Sequence, residues 1–170
     1  MKLTLFAVRH GNKIYEFREP KEENKIMSKD KLKISVAEAH MMRDNITKLG
    51  LKTPDWFELL TYEELAACYN GAGSDKTPTV IRKVLTRLLG FAKEAVLIHD
   101  AEYAYARRFC PIDYTDYKMF LAANRRLGEN AKVLALERTP WYSVLRYWRL
   151  LVARNAWNAV DDFGYSAWIE

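Results

Sequence analysis

The stretch Ile98-His99-Asp100-Ala101-Glu102-Tyr103 decides how this chain is read, because it sets an imidazole and a carboxylate side by side with a phenol four residues on. On a helix, His99 and Tyr103 lie one turn apart on one face, while Asp100 is rotated by about 100° and can address a neighbouring loop. The stretch lies 29 residues after the glycine-containing turn Tyr69-Asn70-Gly71-Ala72-Gly73. A base and a metal ligand presented together make a hydrolase-like arrangement, or a relic of one.

Working outward, the flanking sequence is helical by pattern. Pro78 opens a segment in which Val80, Val84, Leu85, Leu88 and Leu89 fit helical spacing up to Gly90. The His-Asp helix should run from about 92 to 107, with Pro111 ending that region. Asp113 or Thr115 can cap a following helix containing Met119, Phe120, Ala123 and Leu127, closed by Gly128. Thr139 as cap and Pro140 at the first position then predict the longest helix. Its stripe of Trp141, Val144, Leu145, Trp148, Leu151, Val152 and Trp157 reads as a core face, with Arg146, Arg149 and Arg154 on the solvated side.

Toward the N-terminus, Ser35 and Glu38 stand in capping-box spacing for a helix over about 36 to 49 with Gly50 as its stop, and a short helix should follow Thr61. Residues 18 to 31 are mostly charged and polar and read as a solvated loop. Before them, Leu3 to Val8 and Lys13 to Phe17 flank His10-Gly11-Asn12 and read as a β-hairpin. The fold class expected is therefore mostly α (α+β). A single domain over 1–170 is expected, with 1–60 as a hairpin-plus-helix extension and 61–170 as a helical core.

Composition narrows the function classes. With 170 residues, 49% hydrophobic and 13% aromatic, the chain can bury a sizeable core, so disorder is not expected. No apolar run approaches the roughly 20 residues of a membrane span. The start reaches Arg9-His10 too early for a secretory signal, so no signal peptide is expected and a cytoplasmic location is. Cys68 and Cys110 fit neither a disulfide framework nor a metal spacing, which makes buried, reduced thiols the default. The net charge of +5 favours anionic partners such as lipid headgroups, but the charges are scattered and no nucleic-acid partner is expected.

Four segments together resemble bacterial and phage phospholipase A2-like proteins: Asn70-Gly71-Ala72-Gly73-Ser74; Ile98-His99-Asp100 with Tyr103; Phe120-Leu121-Ala122-Ala123-Asn124-Arg125-Arg126-Leu127; and the closing Trp157 to Trp168 with its Ala159-Val160, Gly164 and aromatic residues. The resemblance spans about residues 65 to 170. It implies a phospholipase A2-like helical core, a phospholipid or membrane-surface partner, a cytoplasmic or phage-associated setting, and calcium as cofactor. The metal ligands implied are Asn70, Gly71, Gly73 and Asp100, with His99 as the general base that activates water against a lipid ester. That chemistry is coherent, since a hard cation takes oxygen ligands and would polarise the ester carbonyl while a neutral imidazole removes the proton.

The resemblance also implies an acid that orients His99. Alignment on Phe120-Leu121 puts Tyr117 at that position, with Asp116 one residue early, or about 100° around a helix. Either the helix shifts register so that Asp116 or Asp113 reaches His99, or the orienting acid is lost. Catalytic candidates are thus His99, Asp116 and Tyr103. One alternative is a catalytically weakened scaffold for protein or membrane contact. A histidine phosphatase is another, since Leu5-Phe6-Ala7-Val8-Arg9-His10-Gly11 offers a nucleophilic His beside an Arg, though it needs a sheet of several later strands. His40, on an amphipathic helix, reads as structural.

Overall fold

Ser35 starts the first helix of the body by accepting a hydrogen bond from the Glu38 amide at 3.1 Å, and α1 runs Val36–Lys48. Only half of the capping box forms, because the Glu38 carboxylate instead meets Lys93 Nζ at 3.1 Å. Past Leu49, Gly50 adopts φ 58°, a left-handed conformation that glycine takes without a Cβ penalty. At Thr61 the complete box is present, with Glu64 as its partner, and α2 runs Tyr62–Cys68.

The computed structural model describes residues 5–10, 13–18, 34–71, 87–109 and 114–168; for 5–10, 13–18, 107–109, 114–116, 163, 166 and 167 it describes the backbone alone. Two strands, β1 (Leu5–His10) and β2 (Lys13–Arg18), pair antiparallel with Leu5 opposite Arg18 and His10 opposite Lys13. The remaining described elements are helical, so the fold is mostly α. The helix expected from Pro78 falls largely outside the described residues. A 3₁₀ turn over Leu89–Ala92 leads into α3, Lys93–Phe109, followed by α4, Tyr114–Glu137, then α5, Val144–Phe163, and the single turn α6, Tyr165–Trp168.

Helix α3 is central. Ala95, Val96, Leu97, Ile98 and Ala101 are all buried, covering nearly every direction around its axis. They share one core with Met42 and Ile46 of α1, Leu65 of α2, Leu127 and Leu134 of α4 and Ala153 of α5, so α1 belongs to the same packed body as the helices after residue 61. A second apolar cluster joins Tyr103, Ala106, Phe120, Ala123 and Trp168 at the other end of α3. Two acids are buried along α3, each answered by an arginine. Glu94 binds Arg138 and Asn45, and Glu102 binds Arg126.

Three sequence expectations are corrected. Gly128 does not close its helix, and α4 continues nine residues further to Glu137. A Cβ at Gly128 would sit 2.9 Å from the Trp157 ring, so this glycine lets α4 and α5 approach closely. The next helix starts at Ser143 rather than Thr139, whose hydroxyl and carbonyl instead accept hydrogen bonds from Arg149 and Arg146. Finally, the stripe read as core is mostly solvent-facing at its start: Trp141 is 77% exposed, Val144 82% and Trp148 52%.

Candidate functional site

Glu94, His99 and Glu102 of α3 meet Arg138, just past the end of α4, and Asn124 and Arg126 of α4, respectively. The His99–Asn124 pair joins a wider polar network. His99 Nε2 lies 3.1 Å from Asn124 Oδ1, and the Tyr103 hydroxyl, one turn along α3, donates to the same oxygen at 3.1 Å. On its other side, Asn124 Nδ2 donates to Asp161 Oδ1 of α5 at 2.9 Å.

This chain of bonds fixes the amide and the imidazole together. A carboxylate only accepts, so the edge of Asn124 facing Asp161 must be its NH₂ group, and the edge facing His99 and Tyr103 must be its carbonyl. That carbonyl in turn requires a proton on His99 Nε2, which leaves the lone pair on Nδ1. Burial lowers the His99 pKa from 6.5 to about 4, against the opposing influence of the Asn124 hydrogen bond. At neutral pH the ring is therefore uncharged. Nδ1 lies 4.0 Å from Asp100 Oδ1, too far for a hydrogen bond and, with a neutral ring, not an ion pair.

Close packing holds the same group in place. The Tyr103 ring tilts against the His99 ring at 4.3 Å between centroids and meets Trp168 edge-on at 4.8 Å. Gly164 completes the corner, since a Cβ there would stand 2.7 Å from the Tyr103 hydroxyl and 2.4 Å from the Val160 carbonyl. Glu102, one turn from His99, is almost wholly buried. Desolvation raises its pKa in spite of Arg126, and its Oε2 has no hydrogen-bond partner among the described residues.

Asp100 faces the turn at 70 and 71, as the helical rotation predicts. Its Oδ2 accepts the backbone amides of Asn70 at 2.6 Å and Gly71 at 3.0 Å, with Gly71 at φ 74°. Burial and the Asp100 charge push the nearby Tyr69 phenol up to about 12. Two amide dipoles aimed at one carboxylate oxygen make a cradle for an anion, and calcium needs carbonyl oxygens converging instead. In the described part of the expected set, Asn70, Gly71 and Asp100, the amides of the turn face Asp100 Oδ2, and no step is routed through the cation. Gly73 lies outside the described residues. Among the described residues no group of three or more His, Cys, Asp or Glu could hold a metal ion.

The partner found at His99 Nε2 is an amide. Asn124 occupies His99 Nε2, two helical turns or about 12 Å beyond Asp116. The Asp116 side chain and all of Asp113 lie outside the described residues. Tyr117 is 43% exposed and stacks on Phe120 with 5.9 Å between centroids. Asn124 stood inside a quoted motif, and a polar residue amid Ala122, Ala123 and Leu127 is the signal that could have found it. Asp161 carried none beyond a charged helix end. His40 pairs with Asp44 on the exposed side of α1 at 3.1 Å. The phosphatase reading needs strands after residue 34, and the elements described there are helices.

A comparison with protein-family models, with curated proteins and with solved structures finds no match. The functional reading therefore rests on the His99 network itself.

Proposed function

We propose that the chain is a phospholipase A2-like ester hydrolase in which His99 is the general base, held by Asn124 rather than by a carboxylate. The observation that carries this reading is the Asn124 amide locked between Asp161 and His99, which leaves a neutral imidazole with its lone pair on Nδ1. In the proposed step Nδ1 takes a proton from water as the oxygen attacks an ester carbonyl. The resulting imidazolium returns the proton to the departing alcohol, giving acid and alcohol. Water and ester approach on the Nδ1 side of the ring, where Asp100 and the 70–71 turn stand. An amide stabilises the imidazolium less than a carboxylate would, and the low pKa makes His99 a weak base, so turnover is slow.

The test is fatty-acid release from phospholipid vesicles by wild-type protein, His99→Gln, and the swap Asn124→Asp with Asp161→Asn. The swap keeps the bond between positions 124 and 161 while putting a negative charge on His99. Release lost in His99→Gln and raised in the swap supports the reading; equal release in all three overturns it. A chelator is expected to leave the rate unchanged, and a rate abolished by chelation would return a calcium-ligand role to Asp100.

A second reading is a non-catalytic scaffold for membrane or protein contact. The exposed aromatic start of α5 favours it, because apolar surface of that kind suits contact with a partner.

A further inference from the structure

The surface from Trp141 to Leu151 concentrates exposed apolar area. Trp141, Tyr142, Val144 and Tyr147 are 70% exposed or more, and Leu145, Trp148 and Leu151 are about half exposed. At about 100° per residue, Tyr147, Leu151, Val144, Trp148 and Leu145 fall on one arc of roughly 160° around α5, centred opposite the buried Ala153. Arg154 borders one edge of that arc and Arg149 the other. From Arg138 to Val160 the sequence carries four arginines and no acid. Apart from Arg149, which crosses over the Phe91 ring, the outer side of the arc has no partner ring among the described contacts.

We propose that this face of α5 docks the protein on an anionic lipid surface, lying in the headgroup layer without crossing it. Its chemistry matches that setting. Trp and Tyr rings place an apolar body and a polar edge at the boundary between acyl chains and headgroups, and the exposed Arg154 at the edge of the arc can extend its guanidinium group to the phosphates, while Arg149 is held against Thr139 and Phe91. No described helix is long and apolar enough to cross a membrane. A second copy of the chain is a poorer occupant. A two-fold pairing of this face would set Arg149 and Arg154 against the same residues of the other copy, with no acid on the arc to answer them. The docking face starts at the opposite end of α5 from Asp161, 17 residues or about 25 Å along the helix, so the inference stands independently of hydrolysis at His99.

The experiment is co-sedimentation of the full chain with vesicles of phosphatidylcholine alone and of phosphatidylcholine with phosphatidylglycerol, at low and high salt. The proteins compared are wild type, the double variant Trp141→Ser with Trp148→Ser, and Arg154→Glu, with circular dichroism confirming that each is folded. Wild type is expected to bind the anionic vesicles and to be released by salt. Arg154→Glu should weaken binding about tenfold or more, and the double variant should abolish it. The proposal is overturned by wild-type protein that binds neither vesicle, by a folded double variant that binds as well as wild type, or by a dimer in solution that the double variant abolishes.

Discussion

The two ends of α5 are built on opposite terms. At its C-terminal end the helix is wedged into the body: Trp157 fills the space that Gly128 leaves, Asp161 grips Asn124, and Gly164 gives room to the Tyr103 hydroxyl. At the N-terminal end the same helix turns Val144, Tyr147, Trp148 and Leu151 outward, while Arg146 and Arg149 reach back to Thr139. One end spends its contacts on fixing a buried polar group, and the other leaves apolar surface unsatisfied. A helix that is uniformly amphipathic by sequence can therefore serve two purposes along its length. Substitutions at the two ends should separate accordingly.

The largest effect is expected at Asn124. Asn124→Leu removes the bonds that Asn124 makes to His99, Tyr103 and Asp161, and should destabilise the protein by about 3 kcal/mol or more in denaturant unfolding. A loss below about 1 kcal/mol would mean that the network contributes little.

His99 provides an effect of similar size that depends on pH. Its folded pKa, lowered from 6.5 to about 4 by burial, means that the unfolded chain takes up this proton first as acid is added. The associated stability is complete above the ordinary value and is lost as pH falls from 6.5 toward 4, to a total of about 3 kcal/mol. His99→Gln should flatten unfolding free energy over that window. Glu94, whose pKa is lowered by Arg138 and Asn45 against the effect of burial, contributes stability lost only as pH drops through its folded value below the usual carboxylate range. An unchanged slope in His99→Gln would show that the imidazole is not held neutral.

Gly128→Ala forces a methyl group onto Trp157 and should cost about 1 to 3 kcal/mol, which thermal unfolding would register. At the far end of α5, Trp148→Ser should change stability by no more than about 0.5 kcal/mol, because the ring is half exposed. A large loss there would mean that the aromatic end packs against the body and is not a free docking face.

Much of the helical framework was legible because it follows local rules. Ser35 caps its helix as its spacing with Glu38 predicts, a short helix follows Thr61 as expected, and Gly50 ends α1. Errors arose where a residue answers to a distant partner. Gly128 looks like a stop signal, but its role is set by Trp157, 29 positions away. Thr139-Pro140 looks like a helix start, yet Thr139 is taken by two arginines from the following helix. The apolar stripe on α5 has helical spacing whichever side it faces, so periodicity could not distinguish core from exposed surface.

The site divides in the same way. That Asp100 turns toward residues 70 and 71 follows from helix rotation, but whether it meets their carbonyls or their amides depends on the backbone of the turn. That His99 and Tyr103 share one face of their helix follows from their one-turn spacing. Asn124 and Asp161 were not, because their roles exist only where α4 and α5 cross α3. Asn130 is a parallel case, clamping the Lys52 backbone with two 2.8 Å bonds across 78 positions of sequence.

The central claim is that Asp161, through Asn124, holds His99 as a neutral ring protonated at Nε2. It is tested most directly by nitrogen-15 NMR of the histidine side chains across pH. The account predicts a His99 resonance pair showing hydrogen on Nε2 and none on Nδ1, with titration delayed to about pH 4. A ring protonated on Nδ1, or one that titrates near the ordinary value of 6.5, would contradict it.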